Sequence, residues 1–157
     1  MIQLDLPAEL VVVAARDELL LDVRGVCPEL AGWYDEVASA DVELVAVRVG
    51  AAPLSLVVAL SPLPAGPDDV VLQGLRRLST ERAPDGEVAV LDLPIGSAVA
   101  TAEVAVTERG PAAIVVVQLP LSATGRLLVL TLSSPDPSRL PECASLAAAV
   151  AVRVRAA

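Results

Sequence analysis

From Ser97 to Leu132 three apolar runs of strand length follow one another with only short polar breaks between them. An antiparallel sheet satisfies that pattern and a helix does not. In Ser97–Thr107, Ala98, Ala100, Ala102, Val104 and Val106 interleave with Val99, Thr101, Glu103 and Thr107. Glu108-Arg109-Gly110-Pro111 reads as a hairpin loop. The nearly unbroken apolar run Ala112–Leu119 predicts a central strand buried on both faces. Leu121–Gly125 then turns the chain into the strand Arg126–Leu132. Upstream, Pro84-Asp85-Gly86 is a turn signal, and Val88, Val90 and Leu91 lead to Pro94-Ile95-Gly96.

The remainder supplies more strands and the helices to cover them. Ile2, Leu4 and Leu6 alternate with Gln3 and Asp5 as in a half-buried strand, which Pro7 ends. The β-branched run Val11-Val12-Val13 disfavours helix. Arg16–Val23 is compatible with a hairpin continuation or with the start of a helix. Pro28 suits the first turn of a helix to about Ser39, with Leu30, Trp33 and Val37 at helical spacing. Val42–Val49 and Leu54–Leu60 are β-rich and read as a hairpin joined by Gly50-Ala51-Ala52-Pro53. Asp68 and Asp69 open a second helix to about Thr80, whose buried stripe is predicted as Val71, Leu75 and Leu78. Ser133–Ser138 breaks the sheet, after which Leu140, Cys143, Ala147 and Val150 share one face of a last helix. Pro141 fits only in its first turn. The tail Ala151–Arg155 reads as helical or extended. The expected fold class is therefore α/β of the α+β kind, one domain over residues 1–157 with an antiparallel sheet flanked by helices.

The alphabet narrows what such a fold can do. Hydrophobic residues make up 55% of the 157 positions, yet Phe is absent and Trp33 and Tyr34 are the only aromatics. Leu, Val and Ala must fill the interior, and the small side chains let elements approach closely. His, Lys and Asn are missing, so every basic side chain is Arg. Without His there is no Ser-His-Asp or Cys-His arrangement, and the commonest metal ligand is lacking. Without Lys there is no P-loop or Schiff-base chemistry. No GxGxxG, GxSxG or CxxC occurs. Catalytic, metal and cofactor residues are accordingly expected to be none. The formal net charge of -9 repels phosphate backbones, and with almost no aromatics for stacking the chain is not expected to bind nucleic acid.

Mean hydropathy is high at +0.67, but no apolar stretch reaches the roughly 18–20 residues that cross a bilayer. The start, Met1-Ile2-Gln3-Leu4-Asp5, has no basic region of the signal-peptide kind. Cys27 and Cys143 stand singly, as two free thiols of a reducing compartment would. A cytoplasmic location is the expectation.

A few residues invite a functional reading beside a plainer one. The pairs Asp68/Asp69, Asp35/Glu36 and Asp17/Glu18 could do acid–base work. Adjacent positions point apart on a helix, so solvated faces or a helix start explain them better. Cys27, before a helix start, has no base beside it. Trp33 and Tyr34 fit core filling or a contact surface. Arg76 and Arg77 fit an exposed helical face or contact with an acidic partner. Trp33, Tyr34, Arg76 and Arg77 are the candidate partner-contact residues. Two or three helices cover only part of a wide sheet, which leaves an apolar face for a homodimer or client protein.

The order of elements carries a resemblance. Val90-Leu91-Asp92-Leu93-Pro94-Ile95-Gly96 is followed by Val115-Val116-Val117-Gln118-Leu119-Pro120. Then come Leu127-Leu128-Val129-Leu130-Thr131-Leu132-Ser133-Ser134-Pro135-Asp136 and a terminal helix. From roughly Val42 onward this resembles the small PsbP-like proteins common in actinobacteria. Those show an LP-x-G turn, a QYLVPVP-like strand and an LLVLTFSTPD-like segment. Here Gln118-Leu119 stands for the usual Gln-Tyr, and Leu132 for the usual Phe. The resemblance implies an α/β/α sandwich. The broader fold includes a photosystem II extrinsic subunit, Ran-binding import factors and chaperones for secreted toxins. It thus implies a non-enzymatic protein-binding or assembly module of a chaperone-like kind. A carrier of small hydrophobic ligands or lipids is the alternative, and a carboxylate-dependent hydrolase the third.

Overall fold

The computed structural model describes residues 2–15, 18–19, 42–49 and 53–156. Its strands are β1 (Ile2–Leu4), β2 (Val11–Ala15), β3 (Glu18–Leu19), β4 (Val42–Arg48), β5 (Leu54–Pro62), β6 (Glu87–Leu93), β7 (Gly96–Thr107), β8 (Gly110–Leu121), β9 (Arg126–Ser134) and β10 (Val154–Ala156). Among the described residues two α-helices join them, α1 (Asp68–Arg82) and α2 (Leu140–Ala151). Among the described residues β2 to β9 form one antiparallel sheet in the order β3-β2-β4-β5-β9-β8-β7-β6, while β1 and β10 pair separately. The α+β class expected from the alternation is what the chain adopts.

The order explains how the parts assemble. The chain leaves β5 in mid-sheet, crosses one face as α1, and re-enters at the far edge as β6. At 1.5 Å per residue α1 is about 22 Å long, enough for a diagonal crossing. A meander β6-β7-β8-β9 then returns until β9 closes against β5 in an unshifted eight-residue register, Ser55↔Ser133 to Pro62↔Arg126. The three-strand reading of residues 97–132 thus gains a fourth member, β6, at its outer side. The β4–β5 hairpin forms as read, and Glu18–Leu19 pairs back on β2, which resolves that short stretch as a hairpin. The tail resolves as extended, because Val154–Ala156 pairs with Ile2–Leu4.

Side-chain parity puts the main core on the α2 face. Ala113, Val115, Val117 and Leu119 of β8 align with Leu128, Leu130 and Leu132 of β9 and with Leu56 and Val58 of β5. Cys143, Leu146, Ala147, Val150 and Ala151 of α2 close over them. On the other face β8 is only half-buried at Ile114, Val116 and Gln118, which corrects the expectation of burial on both sides. There α1 contributes Val71 and Leu75 to a smaller cluster with Val99 and Leu127. The predicted stripe is also corrected at its end. Leu78 is 44% exposed, and Ser79 faces the sheet instead, its hydroxyl donating to Gln118 Oε1 at 3.2 Å. A polar partner on β8 thus favours the i+8 position over the i+7 leucine, since a half-buried amide oxygen under the helix is satisfied by a donor there.

Pro141 does sit in the first turn of α2, where the missing N–H costs nothing. Asp136 caps the preceding 3-10 turn by accepting from Ser138 N at 3.0 Å. Arg48, only 16% exposed, ties β4 to α2 through Glu142 Oε1 at 2.6 Å, and reaches Glu9 at 3.3 Å. The Arg48 hydrogen bond holds the Glu142 carboxyl below its ordinary value of 4.5. A depressed folded-state value stabilises above the unfolded value and is lost as pH falls below it. In urea titrations from pH 7 to 3, Glu142→Gln is therefore expected to be less stable at neutral pH. Its deficit against the parent should shrink below about pH 4.5. A deficit independent of pH would show that the ion pair does not contribute.

Candidate functional site

One helix cannot cover this sheet. Eight strands at about 4.8 Å spacing span about 34 Å. A twelve-residue helix is about 18 Å long and roughly 10 Å across. Accordingly α2 packs on β8 and β9, with β7 at its margin. Apolar surface lies to either side.

On the β6–β7 side, every residue of β7 that points to the α2 face is apolar: Ala98, Ala100, Ala102, Val104 and Val106. Ala98 is buried and Ala100 and Ala102 are half-buried. Val104 is 51% and Val106 88% exposed. Ala89, Leu91 and Leu93 of β6 extend the surface on the same face, and the outer edge of β6 pairs with no other described strand. Isolated exposed valines are ordinary, whereas these continue a contiguous apolar strip beside an edge that pairs with no other described strand.

On the β4–β5 side lies a half-open cleft of about 740 Å³. Its floor is Leu44, Val58, Leu60 and Leu128, its wall Ile2 and Leu4, and Glu43 and Arg126 stand at its rim. A smaller cleft of about 560 Å³ lies between the start of α1 and the turns after β6 and β8, and shares Ile2 and Thr124 with the first.

Of the candidate residues named from sequence, Arg76, Arg77, Asp68 and Asp69 are described, and none of them lies on the β6–β7 strip or in the larger cleft. Arg76 and Arg77 lie exposed on α1, beside Gln73, Thr80 and Glu81, on a shallow patch away from the flanks. Trp33 and Tyr34 lie outside the described residues, as do Cys27, Asp17, Asp35 and Glu36. Asp68 and Asp69 stand in the first turn of α1 beside the smaller cleft, and Asp68 accepts a hydrogen bond from Ser122 Oγ at 2.7 Å. The two acids serve the helix start. The flank residues were missed because they come from two strands. The available signal was that the same-parity positions of β7 from Ala98 to Val106 are all apolar.

Cys143 is free and fully buried beneath α2, where burial pushes its thiol up to about 11. A thiol held protonated is a poor nucleophile. In a Cys27→Ser background, native protein at pH 8 is expected to resist an aromatic disulfide reagent and to react once denatured. Because the folded value is raised, stability is unaffected below the ordinary 9.0 and falls as pH rises from there toward 11. Rapid labelling of the native state would contradict the buried placement.

Compared with known proteins, the chain matches no family model, and no curated protein is significantly similar to it.

Proposed function

We propose that this chain is a cytoplasmic, non-enzymatic protein-binding or assembly module, and that the β6–β7 flank is its contact surface. The observation that carries the reading is the exposed Val104 and Val106 in line with half-buried Ala100 and Ala102, beside an edge strand free to pair. Apolar surface of this kind favours association with another protein, since desolvating it drives binding without any reacting group. The chemistry absent from the sequence, with neither imidazole nor amine side chains, supports the same conclusion. The antiparallel sheet with a helix on each face supports the PsbP-like reading of the motifs, as does a terminal helix directly after β9. The test is affinity capture with the parent and a Val104→Asp/Val106→Asp variant. Both positions are exposed, so the fold tolerates the change. Partners retained by the parent should be lost by the variant at equal melting temperature. Equal retention would remove the flank from the account.

The cleft over Leu44, Val58, Leu60 and Leu128 supports a second reading, an aliphatic ligand carrier. Native mass spectrometry of the purified protein and displacement of an apolar dye separate the two. Stoichiometric ligand lost in Leu44→Glu supports the carrier.

A further inference from the structure

Proteins normally blunt the edges of their sheets with very short strands, prolines, bulges or charged side chains. One edge of the large sheet, β3, follows that rule at two residues. The other, β6, follows it only through the carboxylates of Glu87 and Asp92. It runs seven residues, Glu87 to Leu93, with no proline, no basic side chain, and no bulge in its register with β7.

We propose that a second copy of this chain pairs along β6, antiparallel and centred on Val90, so that two sheets become one continuous sheet. The proposal rests on the protein-binding reading above and names the occupant. A two-fold axis normal to the sheet is the operation that joins like edges, and it fixes which registers exist. Centred on Val90, all seven residues pair. Glu87 then faces Leu93 of the copy, Val88 faces Asp92, Ala89 faces Leu91, and Val90 faces itself. No carboxylate opposes another, and Glu87 and Asp92 lie on opposite faces of the sheet. A centre on Ala89 would run Asp92 and Leu93 past the strand's start, against Gly86 and Asp85. A centre on Leu91 would set Pro94, which has no N–H, against Val88. The register centred on Val90 thus opposes no like charges and is the one that keeps all seven residues paired within the strand. It makes the apolar strip of Leu91, Leu93, Ala100 and Ala102 continuous across the axis. Val90, 40% exposed at present, becomes covered.

The experiment is site-directed crosslinking in a Cys27→Ser background. Facing residues of an antiparallel pair have Cα atoms about 4.5–5.5 Å apart, within disulfide reach. Val90→Cys should therefore oxidise to a species of twice the 16.1 kDa chain mass. Val106→Cys is the control. It lies seven residues beyond Val99, the partner of Val90, so it sits about 23 Å from the axis and about 46 Å from its mate. Crosslinking at Val90 is expected to be roughly tenfold faster or more, within the geometric limits of a disulfide. Light scattering of Val90→Lys, which sets two cations face to face, should show a monomer that still unfolds in one cooperative transition. Equal crosslinking at both sites, or a dimer that survives Val90→Lys, would overturn the proposal. A monomeric parent that still loses captured partners through Val104→Asp/Val106→Asp would overturn it too, while leaving the contact-surface reading in place.

Discussion

Leu130→Ala is expected to lower the free energy of unfolding by about 2–5 kcal/mol, read as a fall in the urea midpoint at constant slope. Leu130 is 1% exposed at the centre of β9. Its neighbours in register are Val58 on β5 and Val117 on β8, both buried on the same face beneath α2. Removing three carbons there leaves a void between strands that are hydrogen-bonded in place and cannot close in. A chain without Phe has few large groups able to swing into the gap. A domain of ordinary stability has only about 5–15 kcal/mol in all, so the loss is large. A shift near zero would mean that β9 is not the middle of the core.

The opposite change tests the other half of the packing. Ala147→Leu is expected to destabilise by about 1–3 kcal/mol. Ala147 is 2% exposed on α2, one turn from Cys143 and one turn from Ala151, all three fully or almost fully buried against the sheet. Small side chains along that line let the helix sit close to β8 and β9. An added isobutyl group must then lift the helix or bend strand side chains out of their rotamers. Thermal melts of Ala147→Leu and Leu130→Ala, compared with the parent, separate a close-packed seam from a loose one. If Ala147→Leu raised the melting temperature, the seam would hold unfilled space.

These two sites show why the fold was largely legible from residues alone. Strand signals are local: alternation at Ile2–Leu6 and Ser97–Thr107, and short apolar runs at Val42–Val49 and Leu54–Leu60, report directly on pleated backbone. Helix starts were equally local, with Asp68 and Asp69 opening α1 and Pro141 in the first turn of α2. What did not read through depends on partners distant in sequence. Ser79 displaces Leu78 from the stripe because Gln118, 39 positions away, offers an acceptor. The tail is extended because Ile2–Leu4, at the other end of the chain, accepts it as a neighbour. Half-burial of the outer face of β8 reflects how little of the sheet one helix covers, a geometric fact set by strand order.

The candidate site was less legible for the same reason. Apolar content gave no location for an exposed apolar strip, because Leu91, Ala102 and Val106 line up only when β6 and β7 pair. The exposed arginines Arg76 and Arg77 attracted notice as charges, yet they lie off that strip. A surface made of alanine and valine carries no residue type that stands out in a sequence rich in both.

Hydrogen exchange measured peptide by peptide tests the contact-surface account most directly. Protein is compared when dilute, when concentrated, and when bound to any captured partner. Within residues 87–93 the amides that point away from β7 should exchange quickly in the dilute monomer and become protected on association, while those of residues 113–121, already inside the sheet, stay unchanged. Exchange along β6 that is the same under all three conditions would contradict the account.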